Sequence, residues 1–281
     1  MDKREPAARI RRIVVGIDAS PSSLAALEAA VRLASELEAE LEGLFIEDEN
    51  LLRFAGLPFT RVVDSLLGSP RPFESADIEH DLRSRAERAR KALAQAAGTR
   101  VTWTFRVARG RVEDELLAAA RRADLLSLGF FGARPAGAAR AGSLARRAAR
   151  EATASVLLLR QHKAAGTPVA VCYEEGPEGE RALLSAAALA RAQDSGFTVM
   201  TFAADDEEAR EIERSVAELL SDWKLEPRFL HLGTAGGRDL RAAARAACGG
   251  ILVVGADSAL DHGEVLRSLV ENCACSLLLT R

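Results

Sequence analysis

The chain has 281 residues, of which 48% are apolar and 28% charged, and its net charge is −3. This composition is typical of a folded globular protein and argues against fibrous, disordered and strongly basic nucleic-acid-binding classes. The length favours two domains of about 140 residues each. Since no apolar run reaches the roughly 18 residues of a membrane span and the charged start lacks a signal region, we expect a cytoplasmic protein without a membrane partner.

Short apolar runs alternate with Ala- and Leu-rich segments along the first half. The runs of about five residues predict buried strands, and a periodicity near 3.6 predicts the helices between them. Strict alternation predicts a doubly wound α/β sheet. The predicted elements are strand Arg12 to Ile17, helix Pro21 to Leu37, strand Glu40 to Ile46, helix Asp77 to Ala97, strand Arg100 to Val107, helix Val112 to Arg122, strand Leu125 to Gly129, helix Ser143 to Ala152 and strand Ser155 to Leu159.

The second half repeats the first. Residues 12 to 46 align without gaps with residues 168 to 202, an offset of 156, and residues 125 to 129 align with residues 251 to 255, an offset of 126. The same βα units are therefore expected twice. The predicted strands of the second half are Val169 to Tyr173, Phe197 to Ala203, Arg228 to Leu232, Ile251 to Val254 and Ser276 to Leu279.

Two segments interrupt the repeat. The polar, turn-rich segment from Arg160 to Thr167 is predicted to be a linker, which divides the chain into domains 1–160 and 161–281. Residues 49 to 76 have no counterpart in the second half. Two interpretations of them remain open: a lid over a ligand, or a packed surface excursion that covers a dimer interface or a sheet edge.

Neither the cysteines nor the histidines form a recognisable reactive site. The cysteines lack metal-ligand spacing and are interpreted as buried thiols, with a redox-active Cys273 and Cys275 pair as the alternative. The sequence places no acid, serine or cysteine at catalytic spacing from a histidine, and it contains no Walker lysine motif. No catalytic residue and no metal ligand is predicted among these side chains: Cys172, Cys248, Cys273, Cys275, His80, His162, His231 and His262.

The segment from Gly129 to Ser143 is the strongest functional candidate. In an open parallel sheet, ligands bind beyond the carboxyl ends of the strands, and this segment follows the fourth predicted strand. Glycines let backbone N–H groups approach an anion closely, and the N-terminus of the next helix adds unpaired donors. The alternative is that Gly129, Gly132, Gly142 and the capping Ser143 merely end a strand and begin a helix.

The spacing Gly129-x2-Gly132-x9-Gly142-Ser143 is similar to the nucleotide-binding signature of the universal stress protein family. Residues 12 to 23 resemble the first strand of that family with its aspartate, residues 44 to 48 the end of its second strand, and residues 143 to 160 its last helix and strand. The pair Phe130 and Phe131 departs from the more polar residues of many members. The resemblance covers the whole chain as a tandem pair.

The resemblance implies two tandem doubly wound domains of the adenine nucleotide alpha hydrolase-like type. Each would contain a five-stranded parallel sheet of order 3-2-1-4-5, and the domains would pair through their last strands. It also implies a stress-response protein that binds ATP, ADP or AMP in its first domain, while the presence of a divalent metal stays open. A further homodimer is compatible with this arrangement.

The resemblance also assigns roles to individual residues of the first domain. Asp18 would hold the base or the ribose, and the backbone of Ile46 would contact the edge of the adenine. The phosphates would be held by the Ser143 hydroxyl and by the backbones of Gly129, Gly132 and Gly142. For Asp18, the alternative is a turn-forming residue that binds no ligand.

The second half lacks this set of residues. Its loop is five residues shorter, and the positions of Gly132, Ser143 and Asp18 are taken by Ser258, Glu264 and Glu174. A carboxylate about 5 Å from a phosphate costs roughly 3 kcal/mol at an effective dielectric constant near 20. We therefore expect one nucleotide site per chain.

Two other functions are compatible with the same residues. One is a slow ATPase or a self-phosphorylating enzyme with Ser143 or a nearby hydroxyl as the acceptor, although the sequence offers no general base for fast turnover. The other is a ligand-free scaffold that binds a protein through residues 49 to 76 and the Phe130 and Phe131 pair.

Overall fold

The computed structural model describes residues 10–55, 61–63, 70–72, 75–129, 143–160, 167–232, 243, 245–247, 249–256 and 275–281. The strands are β1 Arg12–Gly16, β2 Glu40–Asp48, β3 Arg61–Val63, β4 Pro70–Pro72, β5 Trp103–Gly110, β6 Leu125–Gly129, β7 Ser155–Leu159, β8 Val169–Cys172, β9 Phe197–Thr201, β10 Arg228–His231, β11 Ile251–Gly255 and β12 Ser276–Thr280. The helices are α1 Pro21–Leu37, α2 Glu49–Ala55, α3 Ser75–Ala97, α4 Val112–Ala120, α5 Ser143–Glu151, α6 Pro177–Gln193 and α7 Asp206–Leu219.

Ten of these strands form one continuous sheet in the order β10-β9-β8-β11-β12-β7-β6-β1-β2-β5. Within the first half this order corresponds to 3-2-1-4-5, and the second half repeats it. Every neighbouring pair within a half is parallel. The predicted fold class is therefore confirmed.

The two halves meet at β7 and β12, which pair antiparallel with Leu278 opposite Leu157. This is the pairing of last strands that the family resemblance implied. Two hydrogen bonds from backbone N–H groups to serine side chains cross the junction and are related by a pseudo-twofold axis. The backbone N–H of Arg160 donates to the Ser276 hydroxyl and that of Arg281 donates to the Ser155 hydroxyl, each at 3.1 Å.

Helices cover both faces of the sheet. On one face, apolar side chains of α1, α3, α6 and α7 pack into one core, and on the other face α4 and α5 contribute to a second core. Local sequence explains α1, because Ser20 caps its first turn by accepting from the Ser23 N–H and Pro21 occupies the first helical position. An ion pair at 2.5 Å joins Glu36 of α1 to Arg191 of α6 across the junction.

A partly buried ionic cluster crosses three strands of the first half. The Glu42 carboxylate accepts from the Arg12 guanidinium at 2.6 Å and from Arg106 at 2.7 Å. Burial alone would raise the pKa of Glu42, but the hydrogen bonds and charges of Arg106 and Arg12 outweigh it, so this pKa lies below its ordinary value. In the second half the positions of Arg12 and Glu42 are taken by Pro168 and Thr198, which do not form this cluster.

The segment of residues 49 to 76 contains secondary structure that the sequence analysis did not predict. Helix α2 begins directly after β2 and lies beside α3, and β3 pairs antiparallel with β4. Among the residues that the structure describes, no helix combines the length and the apolar character that a bilayer crossing requires.

Candidate functional site

A cavity of about 300 Å³ opens at the carboxyl ends of β1, β2 and β6. This is the point at which the strand order reverses, because the chain passes from β1 to β2 on one side and reaches β6 on the other. Apolar side chains such as Leu44, Leu116 and Leu128 line it together with polar groups of the turn that leads into α1. A mostly apolar cavity with a few converging polar groups is typical of a small-molecule site.

Three of the six predicted site residues line this cavity, namely Asp18, Ile46 and Gly129. Ser143 is the first residue of α5, and Leu144 of the same helical turn borders the cavity. Gly132 and Gly142 lie outside the described residues, as does the rest of the predicted loop, and so they stay predictions.

Asp18 closes a turn as well as lining the cavity. Its carboxylate accepts from the Ser20 N–H at 2.9 Å, and its own N–H donates to the Ser23 hydroxyl at 3.3 Å. Between them Ala19 adopts a left-handed conformation with φ of 60°. These bonds agree with the turn-forming interpretation of Asp18, and the turn fixes the carboxylate beside the cavity.

Gly129 is required by packing, independently of any ligand. A Cβ atom at this position would lie 2.6 Å from the Ser22 carbonyl carbon and 2.8 Å from the Ser23 nitrogen. Both are backbone atoms of the first turn of α1, so they cannot rotate away. The glycine lets the end of β6 approach the start of α1, and both elements border the cavity.

Gly129→Ala should lower the free energy of unfolding by about 3 kcal/mol, because overpacking against backbone is costly. The matched control is Gly255→Ala at the equivalent position of the second half. There the added Cβ would meet the Glu178 side chain, which can rotate away, and the expected cost is below about 1 kcal/mol. Urea unfolding of both variants measures the difference, and equal costs would contradict this account of Gly129.

The cavity also contains residues that sequence analysis did not recognise. Leu51 of α2 and Leu82 and Arg85 of α3 line its outer side, and Arg85 pairs with Asp81 at 2.8 Å. The helical periodicity of α3 places Leu82 on its inner face, which was the available signal. No signal identified Leu51, because α2 has seven residues and was not predicted.

Comparison with known proteins identifies the family of the chain. The model of the universal stress protein family matches residues 9–160, which include β1 to β7. The chain belongs to the universal stress protein family. No match was found among curated proteins.

Solved structures extend the likeness of this universal stress protein over both halves. A universal stress protein from Archaeoglobus fulgidus DSM 4304 is 14% identical with a TM-score of 0.65 and covers 96% of this chain and 98% of its own. A putative universal stress protein from Pseudomonas aeruginosa UCBPP-PA14 is 14% identical, with a TM-score of 0.57 and coverages of 96% and 93%. The cytoplasmic domain of a prokaryotic cation chloride cotransporter is 14% identical with a TM-score of 0.52, and the match covers 97% of this chain and 96% of that domain. At these identities the likeness shows the fold alone.

The equivalent cavity in the second half of this universal stress protein is small and acidic. It measures about 110 Å³, and its lining includes Glu174, Glu175 and Glu178. Glu178 occupies the position of Ser22, and its carboxyl carbon lies 2.6 Å from where a Gly255 Cβ would be. Of the two glutamates that the sequence analysis named, Glu174 lines this cavity and Glu264 lies outside the described residues. Glu178 was not recognised.

His231 has an acid partner that the sequence analysis did not identify. Its Nδ1 lies 2.6 Å from the Thr201 hydroxyl, and its Nε2 lies 2.9 Å from a Glu213 carboxylate oxygen. The fold brings Glu213 from α7 beside the edge strand β10, which spacing in the sequence does not show. Thr201 is fully buried, and the contacts of these three side chains connect β9, β10 and α7.

The two cysteines that the structure describes are buried, as the sequence analysis expects. Cys172 and Cys275 are both buried, and neither forms a disulfide. Burial, and secondarily the charge of Glu174, raises the pKa of Cys172 to about 12. Within the described ranges no group of three or more His, Cys, Asp or Glu side chains is arranged to hold a metal ion.

Proposed function

We propose that this protein binds one adenine nucleotide per chain, in the cavity of its first half, as part of a stress-response role. The difference between the two repeats carries the proposal. The same fold position holds a cavity of about 300 Å³ lined by Asp18, Asp48 and Arg85 in the first half and one of about 110 Å³ lined by three glutamates in the second. Carboxylates repel the phosphates of a nucleotide, and the first cavity, which is larger and includes an arginine in its lining, therefore suits this ligand better than the second.

The end of β2 offers a backbone edge for the adenine. The Leu44 carbonyl accepts from the Ile17 N–H at 2.9 Å, so it points toward β1. Backbone groups two residues apart in a strand point the same way, and β1 ends at Gly16. The N–H and C=O of Ile46 thus point toward the cavity, where one donor and one acceptor match the adenine edge.

The remaining contacts follow from the positions of α1 and α5. The carboxylate of Asp18 would accept from ribose hydroxyls or the base. The phosphates would lie at the start of α5, where Ser143 and the backbone of Gly129, Gly132 and Gly142 supply donors. A helix N-terminus favours such an anion through its unpaired N–H groups and its dipole.

Equilibrium dialysis of the purified chain with ATP, ADP and AMP tests the proposal. We expect one bound nucleotide per chain. Retention of none of the three would overturn the proposal and leave a protein-binding scaffold, whereas two per chain would overturn the account of the second half. Analysis of products after incubation with ATP separates binding from slow hydrolysis or self-phosphorylation.

Asp18→Asn should weaken nucleotide binding about tenfold while leaving the free energy of unfolding within about 0.5 kcal/mol of its original value. Asparagine keeps an oxygen that accepts from the Ser20 N–H, so the turn persists, but a neutral acceptor binds hydroxyls less strongly than a carboxylate. Titration calorimetry measures the affinity. Glu174→Gln at the equivalent position of the second half is the control, and it should leave the affinity for the nucleotide unchanged. An unchanged affinity in Asp18→Asn would mean that Asp18 forms the turn but does not contact the nucleotide.

A further inference from the structure

Helix α5 of the first half is capped by a residue from the second half. The last carbonyls of a helix have no partner within the helix. Arg281 follows β12. One of its guanidinium N–H groups donates a hydrogen bond to the Ala149 carbonyl at 2.7 Å, and another donates to the Ala154 carbonyl at 3.4 Å. Its positive charge also complements the negative end of the helix dipole. Arg281 thus stabilises the carboxyl end of α5.

The opposite end of the same helix borders the cavity. Helix α5 begins at Ser143, and Leu144 lines the cavity. Along its side, Arg147 contacts Asp114 at 2.7 Å and Glu113 at 3.3 Å, both in the first turn of α4. A helix of 9 residues is a rod of about 14 Å, so a contact at its carboxyl end affects the position of its amino end.

We propose that Arg281 is a positioning residue that couples the first-half cavity to the second half of the chain. This inference rests on the proposed nucleotide binding. A nucleotide requires α5 to be docked, and Arg281 raises the fraction of molecules in which it is docked. Apparent affinity scales with that fraction. By reciprocity, a bound nucleotide strengthens the contact between Arg281 and α5, so the second half responds to occupancy of the first.

Hydrogen exchange measured by mass spectrometry tests the contact directly. In Arg281→Met without nucleotide, the amides of α5 should exchange faster, and those of α3 should not change. The matched control is Arg100→Met, since Arg100 donates in the same manner to the Ala96 carbonyl at the end of α3, at 3.2 Å. This control should accelerate exchange at the end of α3 and leave α5 unchanged.

Calorimetric titration with ATP tests the coupling. Arg281→Met should bind ATP more weakly, by up to about tenfold, the limit set by one lost charge-assisted hydrogen bond, and Arg100→Met should bind as the original chain does. Arg281→Lys, which keeps the charge and a donor, should recover part of the affinity. Saturating ATP should restore the protection of α5 in Arg281→Met.

Each negative result has a distinct meaning. Unchanged α5 exchange in Arg281→Met overturns the positioning role, whether or not the chain binds nucleotide. Faster α5 exchange with unchanged ATP affinity overturns the coupling. If the original chain binds no ATP, ADP or AMP, the proposed function fails and the coupling fails with it, while the exchange experiment still decides the positioning role.

Discussion

Ser22→Glu should weaken nucleotide binding at least about a hundredfold. Ser22 lines the first cavity, and its counterpart Glu178 places a carboxylate in the second. The substitution would transfer that carboxylate into the proposed site. About 5 Å from a phosphate it costs roughly 3 kcal/mol at an effective dielectric constant near 20, which corresponds to a loss of about two orders of magnitude in affinity. Equilibrium dialysis with ATP measures the loss.

Two further variants separate charge from size. Ser22→Gln adds nearly the same bulk without charge, so it should bind ATP at least about tenfold better than Ser22→Glu. Glu178→Ser removes the carboxylate of the second half and should leave one nucleotide per chain, because Glu174 and Glu175 still line that cavity. Equal affinities in Ser22→Gln and Ser22→Glu would show that steric blockage, rather than repulsion, distinguishes the two halves.

Replacing both Arg12 and Arg106 by Met should lower the free energy of unfolding by about 3–5 kcal/mol at pH 7, the usual cost of leaving a buried charge without its partners. The Glu42 side chain is 7% exposed, whereas Arg12 and Arg106 are 43% and 36% exposed. Because Glu42 is buried, water replaces its lost partners only in part. Glu42→Gln should cost less, because it leaves no buried charge and the glutamine oxygen still accepts a hydrogen bond.

The pH dependence of this effect distinguishes it from a general packing defect. In the original chain the pKa of Glu42 is lowered, so the cluster stabilises the fold above the unfolded-state pKa of about 4.3, and that contribution is lost as the pH falls through the folded-state pKa. Without the arginines, burial raises this pKa, so the variant becomes less stable as the pH rises above about 4.3.

The difference in stability between the variant and the original chain should therefore shrink as the pH is lowered from 7 to 4. Urea unfolding at several pH values measures it, and a constant difference would contradict the electrostatic explanation. The control is Arg83→Met in the exposed pair that Arg83 forms with Glu79 at 3.3 Å. Its expected cost is below about 0.5 kcal/mol at every pH.

Periodicity and internal repetition predicted most of the fold, because buried strands and amphipathic helices leave a direct pattern in the sequence. The bounds of α1, β6 and β7 agree with the prediction to the residue. Helix α2 and the β3 and β4 pair were missed, since they are short and their sequences lack a sustained period. These elements affect the site, as Leu51 of α2 lines the cavity.

The candidate site was less predictable, because side chains distant in the sequence assemble it. The motif indicated Asp18, Ile46 and Gly129, which do line one cavity. The same motif could not show that Gly129 is also required by the backbone of α1, or that Glu178 occupies the second cavity. Both depend on the distance between a strand end and the first turn of a helix, which emerges only when the sheet is assembled.

The antiparallel pairing of β7 with β12 has a consequence for dilute conditions. Where two separate chains form such a junction, dissociation on dilution exposes both strand edges, and stability depends on protein concentration. Here one polypeptide carries both strands, so the junction forms at an effective concentration set by the intervening residues rather than by abundance. A scarce protein of this design would keep its sheet continuous, and the second half could lose a ligand site without weakening the first.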